Sequence, residues 1–143
     1  MKRVVRFFTI ACASFALAAI QTPALAQGGG LRFSDVAGTW EGKSMVGPKD
    51  SVFVTWVLTA TADGKRWTLK RANRDPLPVR IIAIGGDSIV WESGPYPSIL
   101  RAGQMVTTRT AGHFKRDKMT GSWEGRYAPG DVVRGKTEAT RKK

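Results

Sequence analysis

The chain has 143 residues with 42% hydrophobic side chains, and its 23 lysines and arginines against 11 aspartates and glutamates set a net charge of +12. That apolar content at one-domain length excludes a disordered or fibrous chain, and a lone cysteine, Cys12, with a lone histidine, His113, leaves no disulfide framework and no Cys/His metal spacing, so neither metal nor cofactor is expected. The basic balance favours anionic partners such as a lipid-headgroup surface or an acidic protein.

In chain order, Lys2, Arg3 and Arg6 make a basic head, residues 7–20 are apolar apart from Thr9 and Ser14, and Ala24-Leu25-Ala26 is a small-x-small cleavage site. Residues 1–26 read as a secretory signal peptide, the apolar stretch being shorter than the ~20 residues a membrane span needs. Cleavage there removes Cys12 and three cations but no anion, which lowers the net charge from +12 to +9. The expectation is a thiol-free periplasmic or secreted domain that depends on a hydrophobic core.

Residues 27–37 form a leader and capping segment, in which Phe33 and Val36 lie three apart and Ser34 and Asp35 offer capping oxygens. Residues 38–143 form one domain, and from residue 38 the pattern has period two. Eight runs follow, at 38–46, 52–61, 66–71, 79–84, 88–92, 105–114, 120–127 and 132–140. Turn chemistry separates them: Gly47-Pro48-Lys49-Asp50, Ala62-Asp63-Gly64-Lys65, Gly85-Gly86-Asp87, Asp117-Lys118 and Pro129-Gly130, with a loop at 73–78 and an irregular connection at 94–103. Short turns between sequential strands make antiparallel neighbours. Eight of them without interleaved helices predict an all-β, eight-stranded antiparallel up-and-down barrel, whose closure removes the exposed edges.

Alternation separates an inside from an outside. Trp67 and Leu69 oppose Arg66, Thr68 and Lys70; Ile89 and Trp91 oppose Ser88 and Glu92; Met119, Trp123 and Tyr127 oppose Thr120, Glu124 and Arg126. The second run is apolar on both faces, with Phe53 and Val57 opposite Val54, Trp56 and Leu58. Its outer face therefore meets either the leader or another chain.

A hexapeptide occurs almost twice, Gly-Thr-Trp-Glu-Gly-Lys at 38–43 and Gly-Ser-Trp-Glu-Gly-Arg at 121–126. Gly38 and Gly42 flank Trp40, and Gly121 and Gly125 flank Trp123, each two positions away and so on the same strand face as the indole, where a missing side chain makes room for the ring. The motif is a packing device.

Catalytic chemistry is thinly supported. His113 falls outward with Arg109 and Lys115, and Glu41 and Glu124, alternating with their tryptophans, face outward as ion-pair partners rather than as a shielded acid and base. Gly85-Gly86 and Gly28-Gly29-Gly30 precede no helix that could hold a phosphate. The aromatic residues remain. Trp56, Trp67, Trp91, Phe114 and Tyr127 are the candidate ligand contacts, since aromatic walls with a few polar groups make small-molecule pockets. An eight-stranded barrel is also narrow enough for such side chains to fill it. Aromatics and cations on opposite strand faces argue against a nucleic-acid stacking platform.

The Gly38-Thr39-Trp40 start, after a short Phe33-containing segment and before an antiparallel meander, resembles the lipocalin and wider calycin families. The resemblance implies that Gly-x-Trp marks the first strand at the closed end of the barrel and that an arginine near the last strand packs over that tryptophan; Arg141 matches by order. The chain is also similar to small exported lipocalin-like bacterial proteins with a Met-Thr-Gly-Ser-Trp strand, here 119–123, and a Thr-x-Ala-Thr-Arg ending, here 137–141. Avidin-like barrels begin with Gly-Thr-Trp as well, but no residues here match a biotin site. The leading expectation is a barrel that binds a small apolar or amphipathic molecule. The alternative is a filled-barrel interaction module that docks an anionic membrane or acidic protein through its basic surface.

Overall fold

The structure is a computed structural model and describes residues 30–143. The expected signal peptide, 1–26, and residues 27–29 of the leader lie outside the described residues. One helical turn, α1 (Phe33–Val36), precedes eight strands: β1 (Gly38–Val46), β2 (Ser51–Ala60), β3 (Thr68–Arg71), β4 (Leu77–Gly85), β5 (Ser88–Pro97), β6 (Met105–Lys115), β7 (Lys118–Tyr127) and β8 (Val132–Arg141). Each strand pairs antiparallel with its sequence neighbours and β8 returns to β1, so the sheet is the expected closed up-and-down barrel. Such a barrel fits a calycin-like fold.

Local chemistry moves some boundaries. β3 starts at Thr68, because side-chain oxygens hold the preceding turn: Asp63 accepts from the Lys65 amide at 2.9 Å, and the Thr61 hydroxyl accepts from the Arg66 amide at 3.2 Å. β5 continues to Pro97, into the first four residues of the stretch read as irregular, with its register to β6 slipping between Ser93 and Tyr96. A bulge removes Phe53 from the apolar outer face of β2, while Val57 stays on it, paired with Glu41 and Lys70. Ser44 pairs with Val54 but Met45 pairs with Val52, so Phe53 is the extra residue and turns toward Trp123, their ring centroids 5.2 Å apart. Period-two parity had placed Phe53 outside. Val52, displaced by the same bulge, is left half-exposed at the rim.

α1 closes one end. Asp35 accepts from the Arg32 amide at 2.8 Å, which fixes the turn, and Val36 and Phe33 project onto the barrel floor. Gly38 then adopts φ +131°, a conformation that side chains disfavour, to redirect the chain into β1. Trp40 follows, fully buried, donating its indole N–H to the Val36 carbonyl at 2.8 Å. Arg141 lies 4.8 Å above the Trp40 ring and donates to the carbonyls of Asp35, Ala37 and Arg116 at 2.7, 3.0 and 3.2 Å. Its Nε sits 3.0 Å from the Asp117 carboxylate, close enough to attract but misaligned for a hydrogen bond. One cation thus ties α1, β1, the β6–β7 turn and β8 together at the closed end.

Outside, register lines up an alternating charge ladder: Arg80 pairs with Glu92, Glu92 with Arg109, Arg109 with Glu124 and Glu124 with Arg134, across β4 to β8. Glu92 lies 2.9 Å from Arg80 and 3.0 Å from Arg109; Glu124 lies 2.7 Å from Arg126 and 3.1 Å from Arg134. These guanidinium groups hold both carboxyls below the usual range, Arg80 being the main cause for Glu92 and Arg126 for Glu124.

Candidate functional site

The interior divides into a filled floor and a polar-lined chamber. On the floor, Trp40, Phe114, Trp91 and Trp67 touch in sequence, ring to ring, with centroids 5.1, 6.3 and 6.2 Å apart, and Phe33 seals Trp67 from below at 6.0 Å. Leu58, Ile89 and Met119 occupy the remaining space. Nothing there is left for a ligand.

Above Trp91 the composition changes. From mid-barrel to the open end the buried polar side chains collect: Arg71, Ser93, Ser98, Thr110 and Thr137. A void of about 50 Å³ lies among Trp56, Trp91, Trp123, Tyr96, Tyr127 and Arg71, roofed by Ser98, Ile99 and Leu100 of the β5–β6 connection. That roof is held by a hydroxyl pair, Ser98 to Tyr127 at 2.7 Å, and by the Ser98 amide to the Gln104 carbonyl at 2.8 Å. The Trp56 indole donates to the Ser44 hydroxyl at 3.0 Å, and the Trp123 indole donates to the Met45 carbonyl at 3.0 Å, so both rings stand with their polar edges toward β1.

Three of the five expected contacts, Trp56, Trp91 and Tyr127, line this chamber. Trp67 and Phe114 belong to the floor, where Trp67 donates to the Thr61 carbonyl at 3.0 Å. Trp123, read from sequence only as a packing residue, also faces the chamber. The motif glycines clear space, but mostly not for their own indoles: a Cβ on Gly42 would overlap the Trp56 ring of the neighbouring strand rather than Trp40, one on Gly121 would overlap the Ala111 carbonyl oxygen, and only one on Gly125 would lie close against its own tryptophan, Trp123, at 3.3 Å.

Arg71 corrects the separation of cations from aromatics. Only 5% exposed, it points inward with its guanidinium 3.9 Å over the Tyr96 ring and one N–H toward the Pro97 carbonyl at a long 3.4 Å, while Nε has no acceptor. Parity contains the signal, since 67, 69 and 71 share a face, but a cation beside Lys70 at a strand end is ordinarily solvated. Burial lowers its pKa and raises that of Tyr96, whose hydroxyl bonds Thr108. The Tyr96 phenol therefore stays neutral and supplies no counter-charge.

Two other places compete. His113 lies outward as expected, with Ser88 at 2.7 Å and Asp87 at 3.2 Å, but both contact the same Nδ1, and His113 and Asp87 are exposed. A relay needs the two partners on opposite ring nitrogens. Outside the barrel, an open groove of about 840 Å³ crosses β3, β2, β1, β8 and β7. It is a solvent-facing saddle whose central charges, Lys43 and Glu138, neutralise each other at 2.9 Å. Among the described residues no cluster of three metal-ligating side chains occurs, and no helix is long and apolar enough to cross a membrane. Searches against protein-family models, curated proteins and solved structures find no match.

Proposed function

We propose that the protein is an exported, lipocalin-like barrel that binds a small apolar or amphipathic molecule in the chamber above Trp91. The observation that carries this reading is the sorting of the interior: apolar packing is complete on the floor, while buried hydroxyls and a guanidinium converge among aromatic walls at the open end. Convergent polar groups in an apolar recess are what ligand sites are built from; Ser98 and Thr137 are bonded within the fold, to Tyr127 and to the Lys43 carbonyl, while the Arg71 Nε is left without a partner. At about 50 Å³ the void holds a few heavy atoms, well below the ~300 Å³ of an ordinary ligand pocket. A larger ligand therefore enters by lifting the 98–104 roof, which breaks the Ser98–Tyr127 hydroxyl pair and the contacts of Arg101 with Asp131 and the Tyr127 ring.

The small void favours a second reading, the filled barrel that docks an anionic membrane or acidic protein through its basic surface. Salt separates the two. A neutral apolar probe, N-phenyl-1-naphthylamine, is expected to bind with an affinity nearly independent of salt and sensitive to Trp56→Ala, because apolar burial is not screened. Under the docking reading, binding is instead to anionic vesicles, weakens steeply past about 0.15 M salt, and falls on replacing Lys142 and Lys143 by serine. Arg141 is left intact in that test because it pins the closed end.

A further inference from the structure

We propose that Arg71 is an anchoring group for a carboxylate, so that the molecule bound is an amphipathic anion held head-inward, its charged group against the guanidinium and its apolar part toward the rim. The inference rests on the container reading above and adds the ligand's charge, orientation and chief contact.

A guanidinium removed from water is costly unless it is paired with an anion. Here the chamber contributes a π face, one long carbonyl contact and neutral hydroxyls, and no aspartate or glutamate lines it. Every acidic residue in an ion pair among the described residues pairs elsewhere, and Arg71 takes part in none of those pairs. The protein thus buries a cation, orients it on Tyr96 and leaves its Nε without an acceptor. Two carboxylate oxygens match the fork of a guanidinium, and in a desolvated site such a pair is strong and directional. The size agrees: about 50 Å³ admits a carboxyl group but no chain behind it. The chain's place lies at the mouth, where Ile99 and Leu100 form the roof, Phe53 the wall, and Val52 and Met105 stand half-exposed on the rim.

The test is calorimetric titration of the purified protein with decanoate, decanol and decyl phosphate, alongside N-phenyl-1-naphthylamine as a neutral probe. Decanoate is expected to bind at least tenfold more tightly than decanol. Arg71→Met is expected to cost decanoate at least tenfold while leaving decanol and the neutral probe within about twofold; a tenfold change corresponds to about 1.4 kcal/mol. Arg71→Lys, which keeps the charge but loses the fork, should fall between. A measurement on the unaltered protein covers the case in which the variants fail to fold. With ¹³C-carboxyl decanoate, the bound carboxyl should titrate at least tenfold lower in pH terms, one full unit, than the free acid. Equal binding of decanoate and decanol, with the bound carboxyl titrating as in water, overturns the inference while the neutral probe still upholds the container. Preference for decyl phosphate by tenfold overturns the carboxylate assignment. Binding of none of the four overturns both.

Discussion

Truncating Trp40 tests the closed end most directly. Trp40→Ala removes a fully buried indole, its hydrogen bond to the Val36 carbonyl, its edge contact with Phe114 at 5.1 Å, and the ring under Arg141. Large aromatic truncations in cores cost about 3–5 kcal/mol. The upper half of that range applies here, because the Val36 carbonyl loses its donor, a further penalty of about 1 kcal/mol, and Arg141 loses the face it lies on. Since single domains are stable by only about 5–15 kcal/mol, the variant should sit near the edge of unfolding. In urea, with a slope of about 1.5 kcal/mol per molar for a domain of this size, a loss of about 4 kcal/mol moves the midpoint down by about 2 to 3 M. Trp40→Phe keeps much of the packing and loses the indole N–H, so its cost should be about 1–2 kcal/mol. The assay is equilibrium urea unfolding followed by far-ultraviolet circular dichroism, which does not rely on the deleted fluorophore. A loss under about 1 kcal/mol for Trp40→Ala, well below the range for buried aromatics, would show that this ring does not hold the floor.

Gly121→Ala should destabilise by about 2–3 kcal/mol, because the obstacle is the Ala111 carbonyl on the paired strand, which cannot swing aside; Gly85→Ala, with no atom within 4 Å, should change stability by less than about 0.5 kcal/mol in the same melts. The exterior ladder predicts acid sensitivity of a definite sign. Glu92 and Glu124 have folded-state pKa values below their unfolded ones, so their contribution is fully present above about pH 4.5 and is lost as pH falls through the lowered values. Melting temperature between pH 6 and 3 should therefore fall less steeply in the Glu92→Gln/Glu124→Gln double variant than in the parent, and the difference should shrink at 0.5 M salt, since these pairs are near the surface; equal slopes would refute it. For export, mass spectrometry of the secreted or periplasmic material should give a chain starting at Gln27, and an intact Met1 or a lipidated Cys12 would contradict the signal-peptide reading.

Much of the fold was legible because barrels are built from local signals. Turn residues and period-two alternation define strand, neighbour and face without reference to anything distant, whereas the ring for which Gly42 clears space is Trp56 on the paired strand and not the Trp40 of its own hexapeptide. Trp67 and Phe114 were read correctly as inward, as were Trp56, Trp91 and Tyr127. Depth is another matter. A parity rule says inside or outside but carries no coordinate along the barrel axis, so it cannot separate floor residues from chamber residues; that follows from strand stagger around a closed sheet, which only the completed register sets. The bulge at Phe53 escaped for a related reason, because it exists only in the pairing of β1 with β2. Arg71 is the residue whose place depends most on the rest of the fold. Its parity was readable, yet a cation next to Lys70 at a strand end is normally solvated, and only the roof of residues 98–104 folding over it, with Tyr96 beneath its guanidinium, turns a surface charge into a buried one. The sequence by itself determined which side chains face the axis wherever alternation runs unbroken, since successive residues of a strand point to opposite faces, and the β1–β2 pairing decided it at Phe53. Tertiary structure decided which of them pack against one another and which face a void, because that depends on contacts between residues far apart in the chain.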